Sequence, residues 1–148
     1  MLDVEQLLHM TQGQLDDLFR ASPAGPIPQG DADGTAIIAP DTPLSDTAAR
    51  LIHLFAWQGK VFDPASGTLR NKILPEGDKA IVAQVYRGAS WFDGKECIVL
   101  DYSRTSLVAH WIRDEIRLVA PSLYLGLVFW ERTRIFDFAL AFSAAPLT

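Results

Sequence analysis

"LDYSRTSLVAHWIRDEIRLVAPSLYLGLVFW" (residues 100–130) contains the segment on which the fold turns. At its centre, "WIRDEIRLV" (111–119) fits two periods. Wound as a helix, it gathers Ile112, Ile116 and Val119 on one face. Extended as a strand, it sets Trp111, Arg113, Glu115, Arg117 and Val119 on one side and His110, Ile112, Asp114, Ile116 and Leu118 on the other. The strand pairs opposite charges at i, i+2, lies between β-rich neighbours and stops at Pro121, so it is preferred. It predicts a solvated Arg113–Glu115–Arg117 face whose ion pairs contribute roughly 0–1 kcal/mol each. A sharper alternative points Asp114 inward among Ile112, Ile116 and Leu118, where a lone carboxylate needs an arginine, a tyrosine hydroxyl or a raised pKa.

The same alternation continues outward. In 123–130, Leu123, Leu125, Leu127 and Phe129 share one face, and Tyr124, Val128 and Trp130 share the other. A strand apolar on both faces needs a core on one side and a cover on the other. Upstream, Cys97, Val99 and Asp101 share a face of "KECIVLDYS" (95–103), and Tyr102 follows Ile98 and Leu100 on the opposite one. With "TAIIA", "KVFDP", "TLRNKI", "AIVAQVYR" (80–87), 107–119, "LYLGLVFWE" and "RIFDFALAF", the period-two segments make eight candidate strands bounded by Gly, Pro or polar residues. A strongly twisted antiparallel sheet closing into a small barrel removes its exposed edges.

Before the strands the period is helical. Residues 3–20 carry two capping boxes, Asp3 with Gln6 and Thr11 with Gln14, which predicts one broken helix or two short ones. "SPAGPIPQGDADG" (22–34) is a loop by its Pro and Gly content. A second helix is expected over 43–58. It has Asp41 or Thr42 as cap, Leu44, Ala48, Leu51, Ile52 and Phe55 on one face, and Gly59 as stop.

Composition limits the function classes. The chain of 148 residues has 49% hydrophobic and 21% charged residues, enough for one domain with a real core. A formal charge of -5 with scattered Lys and Arg disfavours nucleic acid and an anionic membrane surface. The apolar runs are too short or too broken to span a bilayer as helices. Cys97 is the single cysteine, and "MLDVEQLLHM" has acids where a secretory leader has bases, so a cytoplasmic protein is expected.

No catalytic motif emerges. His9, His53 and His110 lack metal-ligand spacing, so no metal and no cofactor are expected. "DADG" (31–34) lacks the later ligands of a calcium loop and is read as a turn. "GASWFDG" (88–94) lacks the nucleophile-elbow pattern, and Cys97 is read as a small core residue. Trp57, Gly59 and Lys60 fall where the second helix hands over to the barrel.

At "WQGKVF", "SWFDGKECIVLDYS", "IRDEIRLVAPSLYLG" and "FDFALAF" the chain resembles a group of small, mostly uncharacterised bacterial proteins with a calycin-like (lipocalin-type) barrel preceded by helices. The resemblance covers residues 25–142 and implies an interior able to hold an apolar small molecule. It carries no catalytic residues over. The chain departs from a typical lipocalin in having no disulfide and in placing its helices first.

The expected architecture is therefore mainly β. A single domain over 1–148 has a helical segment at 3–20, a loop at 22–34, a covering helix at 43–58 and antiparallel barrel strands over 60–142. The competing fold is the cone-shaped α+β arrangement resembling nuclear transport factor 2 (NTF2-like), which needs fewer strands. The first functional reading is binding of a hydrophobic or aromatic small molecule, with Tyr86, Trp91, Asp101, Tyr102, Trp111, Arg113, Asp114 and Tyr124 as candidate ligand-binding residues. The second is a cofactor-independent lyase or isomerase. It would use Asp101 or Asp114 as base, Tyr102 or Tyr124 as donor, and Arg113 or Arg117 for a substrate carboxylate. The third is a structural protein whose apolar faces join copies, as in a homodimer.

Overall fold

A computed structural model describes residues 2–39, 59–71, 81–105 and 110–143. Two helices precede eight strands: α1 (Val4–Leu8), α2 (Gln12–Ala21), β1 (Gly30–Ile37), β2 (Gly59–Asp63), β3 (Thr68–Asn71), β4 (Val82–Ala89), β5 (Glu96–Asp101), β6 (Ile112–Ala120), β7 (Leu123–Trp130) and β8 (Thr133–Phe142). Each strand pairs antiparallel with the next, and β1 also pairs with β8, so the sheet closes into a barrel. Closure excludes the open, cone-shaped alternative. The helix expected at 43–58, with His53 and Trp57, lies outside the described residues, as do 107–109 of the segment read as 107–119.

The leading segment forms two helices because each has its own reciprocal cap. The Asp3 carboxylate accepts from the Gln6 amide nitrogen, and the Gln6 side chain accepts from the Asp3 nitrogen. Thr11 and Gln14 repeat the exchange. The loop expected at 22–34 ends sooner: β1 begins at Gly30, so "DADG" is strand and not turn. Long-range pairing overrides its turn composition, with Asp31 opposite Val61, and Ala32 opposite both Lys60 and Phe142. At Gly59 the β2 backbone crosses β1 so closely that a Cβ would sit 1.9 Å from the Ala32 carbonyl oxygen, with φ at 127°. Only glycine suits that position.

Two apolar cores lie on the two sides of the barrel wall. Inside, Phe62, Ile98, Leu100, Ile116, Val128 and Phe138 are among the residues packed together. Outside, Leu7, Leu15 and Phe19 of the helices cover Val99, Leu125, Leu127 and Ala139. The helices thus supply the cover that the doubly apolar β7 requires. Gly126 lies opposite Phe138 on the β7–β8 ladder and leaves room for its ring inside the barrel.

The barrel ends differ. At one, residues 23–28 tuck in after α2: the Leu118 nitrogen donates to the Pro23 carbonyl, the Tyr124 hydroxyl donates to the Pro26 carbonyl at 2.7 Å, and Ala24 and Ile27 join the interior core. From the other end leave the β1–β2, β3–β4 and β5–β6 connections and the tight β7–β8 turn, where Glu131 and Arg132 both adopt positive φ. That turn joins Trp130 to its partner Thr133 through two left-handed residues, the geometry a two-residue hairpin needs.

Candidate functional site

Lys60 enters the barrel interior two positions before Phe62, on the same strand face, and is 1% exposed. Asn71 lies directly opposite it on β3. Asp114, on the inward face of β6 with Ile112 and Ile116, and Tyr102, just past β5, complete a buried polar group at the end from which the longer connections leave. The Lys60 Nζ donates to Asn71 Oδ1 at 2.6 Å and to the Tyr102 hydroxyl at 2.7 Å, and lies 3.5 Å from Asp114 Oδ2. Asn71 Nδ2 donates to the Tyr102 hydroxyl at 2.8 Å and to the Ile81 carbonyl. The Nζ also lies 5.4 Å and 5.6 Å from the ring centroids of Tyr102 and Phe138.

One atom of this cluster stands out. Among the described residues Asp114 Oδ1 is buried with no hydrogen-bond partner. Burial pushes the Asp114 carboxyl up to about 6 against the pull of Lys60 and Tyr102. Burial also lowers the Lys60 ammonium, opposed by Asp114, and raises the Tyr102 hydroxyl well above its ordinary value. Desolvation therefore favours the uncharged form of each group, and the attraction between Lys60 and Asp114 across 3.5 Å opposes it. Such a cluster can orient a polar group, exchange a proton with it, or present an amine.

The residues singled out from the sequence divide between the two sides of the wall. Tyr102, Asp114 and Tyr124 face the interior, Tyr124 at the plugged end. Asp101 faces outward. It accepts from Tyr86 at 2.7 Å and from the Ser103 nitrogen. Burial alone would raise its pKa, but hydrogen bonds from Ser103 and Tyr86 outweigh that and lower it. Tyr86, in turn, is pushed up to about 12 by burial and by Asp101. Trp91 is on the outside with the guanidinium groups of Arg113 and Arg132 at 4.3 Å and 4.4 Å from its ring. Trp111 is 48% exposed and packs against His110 with the two rings tilted by 45°. Tyr102 and Asp114 therefore meet in the interior while Asp101 stays apart from them, because neighbouring strand positions face opposite ways.

The expected solvated face of β6 needs correcting. Glu115 and Arg117 are 0% and 1% exposed. Glu115 accepts from the Ser90 hydroxyl at 2.5 Å, from the Trp91 nitrogen at 2.7 Å and from Arg113. Arg117 grips Asp93 through two bonds and donates to the carbonyls of Phe19, Lys95 and Glu96. These bonds tie the 90–95 hairpin and the end of α2 onto the wall, which buries the charges. Asp93 is held down to about 2, chiefly by its bonds from Arg117. Cys97 is buried, its thiol pushed up to about 12 by burial.

Lys60 and Asn71 escaped the sequence argument as site residues. The available signal was parity: Lys60 shares a face with Phe62, and Asn71 with Leu69. Among the described residues no group of three His, Cys, Asp or Glu side chains is gathered to hold a metal, and no helix is long and apolar enough to cross a membrane.

Fold and cluster together define a closed eight-stranded antiparallel β-barrel whose architecture is compatible with ligand binding. A crystal structure of a protein from Thermomonospora curvata is similar to it, with a TM-score of 0.63 over 91% of this chain and 89% of that one, at 16% identity. No protein-family model matches the chain, and no curated protein matches it in sequence.

Proposed function

We propose that the barrel binds a small, mostly apolar or aromatic molecule whose hydrogen-bond donor meets Asp114 beside Lys60. The observation carrying this reading is that Asp114 Oδ1 accepts no hydrogen bond within a buried cluster of Lys60, Asn71 and Tyr102 flanked by apolar side chains. A structural network would be expected to satisfy its buried acceptors, since an orphaned one costs about 1–3 kcal/mol. The calycin-like resemblance points the same way. Affinity comes mainly from apolar burial, on the order of 5 kcal/mol for about 200 Å² removed from water. A donor on Asp114 adds orientation.

The test compares 2-naphthol with 2-methoxynaphthalene, which lacks the donor, by fluorescence titration. The hydroxyl should tighten binding about tenfold or more, as expected for a hydrogen bond to a charged acceptor. Asp114→Asn should erase most of that preference. Equal affinity for the two probes would overturn the reading. A mass spectrum of the protein under native conditions would then identify any ligand carried through purification.

A further inference from the structure

We propose that Lys60 captures an aldehyde, condensing with an apolar or aromatic carbonyl compound in the barrel interior to form an imine. The inference rests on the binding reading above and adds a covalent step. Three observations carry it: the Nζ lies in an interior dominated by apolar side chains, the Asp114 carboxylate is 3.5 Å away, and Asp114 Oδ1 has no partner among the described residues.

The bonds balance without an oxidant or a further reactant. The ammonium gives one proton to Asp114. N–H bonds stay directed at Asn71 Oδ1 and the Tyr102 hydroxyl, and the nitrogen gains a lone pair. That pair attacks the carbonyl carbon, and the C=O π electrons move to oxygen, which takes a proton from Asp114. With the second N–H proton returned to the carboxylate and passed on to the hydroxyl, water leaves and the C=N bond forms. Desolvation assists, because a buried lysine loses its proton more readily than an exposed one.

The chain contains four lysines, Lys60, Lys72, Lys79 and Lys95, so the site of capture can be mapped. The full-length protein is incubated with 2-naphthaldehyde and sodium cyanoborohydride, which reduces an imine to a stable secondary amine, and is then analysed by peptide mass mapping. Lys60 should carry about tenfold more label than the other lysines, because burial lowers the pKa of its ammonium and Asp114 stands beside it to move the protons. The doubly neutral variant Lys60→Met/Asp114→Leu, checked for fold by circular dichroism, should lose that label. Label on the other lysines with Lys60 unmodified overturns the proposal, and the wild-type map alone decides if the variant does not fold. The unreactive 2-naphthalenemethanol separates the two claims. If it binds while Lys60 stays unlabelled, the covalent step fails and the binding reading stands; if it does not bind and no label reaches Lys60, both fall.

Discussion

Asp114 and Arg117 leave the same strand on opposite sides of the barrel wall, Asp114 inward to Lys60 and Arg117 outward to Asp93. The strand thereby joins a buried polar cluster inside to a buried tether outside, with almost no solvent on either. Both charges are enclosed, yet their surroundings differ. Arg117 is met by a carboxylate and three carbonyls, whereas one oxygen of Asp114 accepts no hydrogen bond among the described residues.

Removing one member of the interior pair should cost more than removing both. Lys60→Met leaves Asp114 without its cation and should destabilise the protein by about 3–5 kcal/mol. Lys60→Met/Asp114→Leu should recover most of the loss. Urea unfolding of the two variants checks this, and a double variant less stable than the single one would refute it.

Stability should rise as the pH falls from 7 towards 4. Burial pushes Asp137, which lies under α2, up to about 6 from 3.8, with Arg134 and Gln12 opposing and Asp16 adding to the rise. A raised carboxyl binds its proton more tightly when folded. Its contribution is thus complete below 3.8 and is lost as the pH climbs through 6. Asp114 acts in the same direction over the same window. Asp93, held near 2, runs oppositely: its contribution is present above 3.8 and fades as the pH drops through 2. Denaturation at a series of pH values should show Asp137→Asn flattening the slope between pH 4 and 6 by up to about 3 kcal/mol. An unchanged slope would remove Asp137 as its source.

Arg117→Lys should not rescue the outer tether. Lysine cannot reproduce the two-pronged grip on Asp93 while reaching the Phe19, Lys95 and Glu96 carbonyls. A loss of about 2–4 kcal/mol is expected, with amide exchange accelerated first in the 90–95 hairpin and the last turn of α2. Uniform acceleration across the barrel would contradict this.

Gly126→Ala tests the packing of the interior. The added Cβ would lie 2.2 Å from the Phe138 ring, so the ring must move. Thermal unfolding should report a loss of about 1–3 kcal/mol. Phe138→Leu in the same chain should restore part of it by giving the methyl group space. No loss in the single variant would show that the interior yields freely there.

Local chemistry made much of the fold legible before any coordinates. Capping boxes marked the leading helices, and alternation located the later strands and set Asp114 on a face with Ile112 and Ile116, but it kept Asp101 as an interior candidate although that side chain faces outward. Composition misled at "DADG", where nothing local announces pairing with β2 and β8. It misled again at Glu115 and Arg117, because a charged strand face looks the same whether water or a hairpin covers it.

Side-chain parity and hydrogen-bonding chemistry along the chain were enough to specify most strands, the caps and the face that Asp114 shares with Ile112 and Ile116, since these depend on residues a few positions apart. Which residues meet Asp114 was decided by closure alone. Lys60, Asn71 and Tyr102 come from three different strands or strand ends, and pairing through β2 to β6 had to be in register before their polar atoms could share one buried volume with Asp114. Contacts between distant segments depend on that register, and local periodicity contains no term for it.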